Sequence, residues 1–140
     1  MVMNQSHISL NVHDLERSVA FYTVFMGSEP VKRKEDYAKF EMRDPNLNLA
    51  LVPARTPVIG PGALSHLGVR VHNQKDLATW HDRVKAAGLM PEGESGVCCY
   101  ALQDKFWLKD PDGVDWEVYT VIEDSEVKGG SQKCHDAACC

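Results

Sequence analysis

The chain lacks any run approaching the roughly 20 consecutive apolar residues that a membrane-spanning helix needs. No membrane partner is therefore expected. It also lacks a basic stretch: 15 Lys and Arg stand against 20 Asp and Glu, for a net charge of -5. Nucleic-acid backbones are bound by clustered Lys and Arg, so nucleic acid is not an expected partner either. The opening residues Met1-Val2-Met3-Asn4-Gln5 carry neither a basic region nor an apolar core. No signal peptide is expected from them, and the expected location is cytoplasmic. The five cysteines then read as cytosolic thiols rather than a disulfide framework. At 140 residues the length suits one domain, or two small halves sharing a core.

What is present is a repeat. The phrase His7-Ile8-Ser9-Leu10-Asn11-Val12-His13, followed by Asp14-Leu15, returns 59 residues later as His66-Leu67-Gly68-Val69-Arg70-Val71-His72, followed by Asp76-Leu77. Asp44-Pro45 and Asp110-Pro111 form a second matched pair, each ahead of an apolar run. Self-similarity on this scale argues for two copies of one supersecondary unit.

Periodicity supplies the unit. Ile8, Leu10 and Val12 alternate with His7, Ser9 and Asn11, which predicts a strand with one apolar and one polar face. Asp14 is a plausible N-cap for a helix through about Met26, ended by Gly27. Leu15, Val19, Tyr22 and Met26 fall on one stripe of that helix. Strands are expected at Pro30–Arg33, Tyr37–Met42 and Leu47–Val52. Residues 53–63, rich in Pro and Gly, are the expected linker. The second copy is expected to run from a strand at His66–His72 through a helix at about Lys75–Ala87, stopped by Gly88. Strand candidates follow near Met90–Glu92, Cys99–Gln103, Phe106–Leu108 and Asp115–Val121. Residues 124–140 are polar, Gly-rich and aperiodic, and read as a flexible tail. The expected fold class is α+β: two tandem βαβββ modules, about 5–53 and 64–122, in a single domain over 1–123, forming a curved mixed sheet around a metal cavity.

The repeat places His7 and His66 at equivalent positions, each heading the polar side of its strand. Glu117 lies between Trp116 and Val118, so alternation turns it to the opposite face, with Tyr119. If the two modules build one concave sheet, His7, His66 and Glu117 can converge. Two imidazoles and one carboxylate with open positions suit non-haem Fe(II), with Mn, Co, Ni or Zn as substitutes. The first module has Ala50 or Leu51 where Glu117 would fall, so three protein ligands are expected, with room for substrate, water or dioxygen. The remaining histidines, His13, His72, His81 and His135, read as solvated.

Cys98-Cys99 is the second unusual feature. Adjacent residues in a regular strand point to opposite faces, so one soft ligand could be shared only from irregular backbone. Gly93 and Gly96 upstream suggest a loop there. Paired thiolates suit a trivalent metalloid or a heavy metal such as cadmium. The bland alternative is one Cys buried as a small hydrophobe and the other incidental.

The duplicated βαβββ unit, with His on each first strand and Glu on the last, resembles the vicinal oxygen chelate superfamily, which includes glyoxalases, extradiol dioxygenases and the bleomycin- and fosfomycin-resistance proteins. The resemblance covers residues 5 to about 122 and implies metal binding at His7, His66 and Glu117. Lys34-Glu35-Asp36-Tyr37-Ala38-Lys39-Phe40, Cys98-Cys99-Tyr100-Ala101, Asp104-Lys105 with Trp107, and Asp110-Pro111-Asp112-Gly113 with Trp116-Glu117 are similar to one branch of it, the carbon–arsenic lyases and cadmium-induced proteins. That likeness implies an Fe(II)-dependent, dioxygen-using enzyme that cleaves the C–As bond of trivalent organoarsenicals such as methylarsonous acid. It implies arsenic binding at Cys98 and Cys99. Tyr100 and Lys105 are candidates for lining the pocket or stabilising developing charge; a packed aromatic and a solvated lysine are equally good readings. Cys134, Cys139 and Cys140 could capture metalloid for delivery or be passive. Two rivals stand beside this reading. One is a glyoxalase-like or thiol-transferase metalloenzyme; the other is a protein that sequesters cadmium or arsenite without turnover. The sequence leaves open whether the site forms within one chain or across a homodimer.

Overall fold

The computed structural model describes residues 4–60, 62–98 and 101–124, with 94–98, 101–102 and 123–124 described by backbone alone. It divides into two compact units, Met1–Ile59 and Gly60–Cys140, with the boundary inside the expected linker. The architecture is α+β. Each unit is one module with its own four-stranded mixed sheet and one helix.

The first module runs β1 (Ser6–Val12), α1 (Leu15–Met26), β2 (Lys32–Lys34), β3 (Tyr37–Met42) and β4 (Leu47–Pro53), in sheet order β1-β4-β3-β2. β1 pairs parallel with β4, and the other pairs are antiparallel. Helix α1 begins where Asp14 Oδ1 accepts the N–H of Arg17 at 3.0 Å. It ends where Gly27 takes a left-handed φ of 71° and donates to the carbonyls of Thr23 and Val24. The register aligns Ile8 with Leu49 and Leu10 with Leu51, and sets Phe40 and Ala38 across from the same two leucines. That apolar face packs with α1 through Tyr22, Phe25 and Phe40, all fully buried. Tyr22 meets Phe25 edge-on and Phe40 at a tilt, with ring centroids 6.4 Å apart in each pair. The helix stripe is wider than the helical spacing suggested: Phe21 and Phe25 are buried with Tyr22 and Met26, whereas Val19 is only half-buried.

The second module repeats the order as β5 (Leu67–Arg70), α2 (Gln74–Ala86), β6 (Glu92–Cys98), β7 (Ala101–Lys109) and β8 (Asp115–Asp124), with sheet order β5-β8-β7-β6. β5 is shorter than expected, and His66 stands just ahead of it. α2 is capped by Asn73, whose Oδ1 accepts the N–H of Asp76 at 2.9 Å. Its end is a Schellman arrangement: Gly88 at φ 86° donates to Lys85 O, and Leu89 donates to Val84 O. Val69, Phe106, Leu108, Trp116 and Val118 are buried on one face, with Trp80 and Val84 of α2.

Three expectations for this module are corrected. The strand expected at Phe106–Leu108 and the described residues, 101–103, of the one expected at Cys99–Gln103 belong to the single β7; Cys99 and Tyr100 lie outside the described residues. The loop expected around Gly93 and Gly96 is instead strand β6, where they pair with Phe106 and Gln103. Ladder hydrogen bonds to β7 satisfy that backbone, so glycine content alone did not break it. β8 reaches Asp124, beyond the expected Val121, because the register shifts at Leu102/Gln103 and pairing then resumes with Glu123 and Asp124. Among the described residues no helix is long and apolar enough to cross a membrane.

Candidate metal centre

Glu117 projects from β8 on the face opposite Trp116 and Val118, both fully buried. On the same face stand Gly68 and Trp107, directly across from it on β5 and β7. Lys105, two residues from Trp107 along β7, shares that face and is only 5% exposed. Its Nζ donates to Glu117 Oε2 at 3.1 Å and lies 5.5 Å from the centre of the Trp107 ring. Lys105 is thus neither solvated nor isolated; it is the counter-charge of the carboxylate.

The other carboxylate oxygen faces His66. His66 Nε2 stands 3.5 Å from Glu117 Oε1, beyond ordinary hydrogen-bond length. Two donors each bound to one transition ion near 2.1 Å stand about 3.0–3.4 Å apart, so the pair lies just outside the spacing of adjacent ligands. The imidazole is oriented from behind: Nδ1 meets Ser65 Oγ at 2.9 Å, and the ring packs edge-on against Trp107 at 5.1 Å. The Ser65 hydroxyl can accept from Nδ1 or donate to it; in the tautomer in which it accepts, Nε2 carries the lone pair that a metal needs.

In the first module, His7 lies on the polar face of β1, exposed, with Ser9 and Asn11. Its Nδ1 meets Asn48 Oδ1 on β4 at 3.1 Å. An amide oxygen only accepts, so Nδ1 is the donor in this bond. Both repeat-paired histidines therefore have Nδ1 engaged by a polar side chain of their own module. The donor set fits a divalent transition ion in chemistry. The structure brings His66 and Glu117 together, with His7 on the other module; among the described residues no group of three His, Cys, Asp or Glu is gathered into a metal set.

The register also assigns the position that the repeat left between Ala50 and Leu51. Gly68 faces Glu117 as Ser9 faces Ala50, so Ala50 is the counterpart of Glu117. Near it, Lys39 pairs with Glu41 at 2.8 Å, and that hydrogen bond raises the Lys39 pKa against a smaller lowering by burial. Asn48, Ser65 and Gly68 were missed by sequence reasoning. For Gly68 there was a signal, a glycine inside a strand pattern, which often marks close approach; the other two had none.

Of the thiols, Cys98 ends β6 and is paired in register with Ala101. Its side chain, and Cys99, Tyr100, Cys134, Cys139 and Cys140 altogether, lie outside the described residues. So does the expected tail beyond Asp124. On the other face of β7, Asp104 accepts from Gln74 Nε2 at 2.6 Å. Asp110, buried in the turn before β8, accepts the N–H groups of Asp112 and Val114, which sets the entry to the strand carrying Glu117.

A family model for the glyoxalase/bleomycin resistance protein/dioxygenase superfamily matches residues 4–118. The chain belongs to that superfamily. A solved member of the superfamily from Alicyclobacillus acidocaldarius superposes with a TM-score of 0.70 over 86% of this chain and 92% of its own, at 16% identity, a likeness of fold alone. Two relatives within the superfamily are nearer in sequence. The cadmium-induced protein CadI of Mycobacterium tuberculosis is 42% identical over 97% of this chain and 88% of its own. The trivalent organoarsenical cleaving enzyme of Bacillus sp. (strain MD1) is 38% identical over 99% of this chain and 83% of its own.

Proposed function

We propose that this superfamily member is an Fe(II)-dependent, dioxygen-using lyase that cleaves the carbon–arsenic bond of trivalent organoarsenicals such as methylarsonous acid, releasing arsenite. The observation that carries the reading is near full-length similarity to a relative named for organoarsenical cleavage, in a chain that has two repeat-paired histidines and a glutamate opposed to one of them. His7, His66 and Glu117 hold the metal, with Ni, Co, Mn or Zn as substitutes. Fe(II) held by three protein ligands supplies redox chemistry toward dioxygen at its open positions.

The chain's own residues do the rest. Ser65 and Asn48 orient the imidazoles. Lys105 occupies Oε2 of Glu117, which leaves Oε1 as the oxygen for the metal. Cys98 and Cys99 exchange with oxygen ligands on As(III), releasing water and holding the organic group in place. Tyr100 lines the substrate space. Cys134, Cys139 and Cys140 capture metalloid at low concentration. Methylarsonous acid plus one dioxygen balances to arsenous acid plus formaldehyde. Carbon loses four electrons and arsenic stays trivalent, so no external reductant is needed. Fixing two reactants in one orientation contributes several kcal/mol of barrier reduction.

The test is product analysis on Fe(II)-loaded protein, prepared without oxygen and given methylarsonous acid with and without dioxygen. Arsenite is expected only with both Fe(II) and dioxygen. Turnover with Zn(II) and no dioxygen would favour the glyoxalase-like reading. Tight arsenical binding without product would favour sequestration.

A further inference from the structure

We propose that Gly68 is a positioning residue for the metal centre: the side chain absent at 68 is the space in which the Glu117 carboxylate stands. The inference rests on the metal role of Glu117 proposed above. Gly68 faces Glu117 directly across the parallel β5–β8 pair. A Cβ built on Gly68 would lie 2.7 Å from Glu117 Cγ, 3.2 Å from its backbone oxygen and 3.4 Å from Oε1. The first of these is a contact no real Cβ makes.

The glycine is not there for its backbone. Gly60, Gly62, Gly88 and Gly113 have left-handed φ angles and Gly68 does not. A strand glycine with ordinary φ weakens the strand through entropy and offers no packing in return, so close approach is its remaining use. The first module supplies an internal control. There the equivalent cross-strand pair is Ser9 with Ala50, a small side chain on each strand and no carboxylate. The second module has the opposite division, no side chain on one strand and a long acidic one on the other.

The crowded atom decides the consequence. Glu117 Cγ belongs to a flexible side chain, so it gives way before the sheet does. When Cγ swings, the carboxylate swings with it. Oε1 then leaves His66 Nε2, and Oε2 leaves Lys105 Nζ. A methyl group at 68 should therefore leave a folded module with a misdirected ligand.

The experiment compares the full chain with Gly68→Ala, Glu117→Ala and the double variant, using Co(II) as the probe. Calorimetric titration reads affinity, the visible spectrum of bound Co(II) reads ligand geometry, and thermal unfolding of the metal-free proteins reads stability. Gly68→Ala is expected to stay folded, to bind Co(II) roughly 10–100-fold more weakly and to shift its spectrum, as loss of ligand orientation does. In the Glu117→Ala background the same alanine should cost less Tm than in the parent, because the 2.7 Å contact with Cγ is gone and only the 3.2 Å approach to the backbone oxygen of residue 117 remains. Parental Co(II) binding by Gly68→Ala, with binding lost in Glu117→Ala, would overturn the role of Gly68 and leave the metal reading standing. Parental binding by Glu117→Ala would overturn the metal reading and this inference with it. Unfolding of Gly68→Ala in both backgrounds would show that the glycine serves the backbone, and would also overturn the inference.

Discussion

Lys105 and Glu117 form a nearly enclosed ion pair across adjacent antiparallel strands, with Nζ 3.1 Å from Oε2 and side-chain exposures of 3% and 13%. They are diagonal neighbours rather than direct partners, since Lys105 sits across from Tyr119. Diagonal reach across a sheet face is within the range of long side chains. Without a bound cation, this lysine is the group that offsets the charge of Glu117.

Replacing Lys105 with Met should therefore lower the stability of the metal-free protein by roughly 1–3 kcal/mol, since a partly buried carboxylate loses its counter-charge. A divalent ion should restore much of that loss. The rise in Tm on adding Co(II) is thus expected to be larger for Lys105→Met than for the parent. An equal rise in both proteins would show that Lys105 and the metal do not share Glu117.

Removal of Asn48 acts on the other histidine. Asn48→Leu deletes the acceptor for His7 Nδ1 while keeping a strand-compatible side chain of similar size at the position. Metal affinity should fall roughly 10–100-fold with Tm nearly unchanged. Unaltered affinity would mean that His7 either needs no orientation or is not a ligand.

His7→Ala, His66→Ala and Glu117→Ala should each abolish tight Fe(II) binding and turnover while circular dichroism stays parental. Three protein donors are few, and the loss of any one leaves a set that water and buffer can outcompete. Full iron occupancy in any two of these variants would sink the ligand assignment.

For the thiols, Cys98→Ser and Cys99→Ser should each lose most organoarsenical affinity while retaining Fe(II). A bidentate grip depends on the second contact being intramolecular, so losing one thiol costs far more than half. The titration belongs in a background lacking Cys134, Cys139 and Cys140. Degradation of methylarsonous acid at the parental rate by either Ser variant in that background would remove the chelating role.

Much of the module was legible because its signals are local. Asp14 and Gly27 bracket α1 through a side-chain acceptor and a left-handed residue, both set within a few positions of chain. Alternation put His7 on the polar face of β1 and Glu117 opposite Trp116, and the burial pattern agrees. The misread stretch was the one around Gly93 and Gly96, where glycines suggested loop and the chain forms strand β6, paired antiparallel with β7. Strand pairing there is satisfied by a partner several residues away, which composition does not register.

The sequence by itself determined the duplication, the element order and the residue types available for a metal site, because periodicity and capping act within one or two turns of chain. Only the tertiary structure decided which neighbour each of those residues meets. That Lys105 grips one oxygen of Glu117, that Asn48 orients His7, and that Gly68 rather than any other glycine makes room for the carboxylate all follow from strand register. Register is set by pairing between segments some 10 to 50 residues apart, and a slip of one position would turn each of these side chains to the other face.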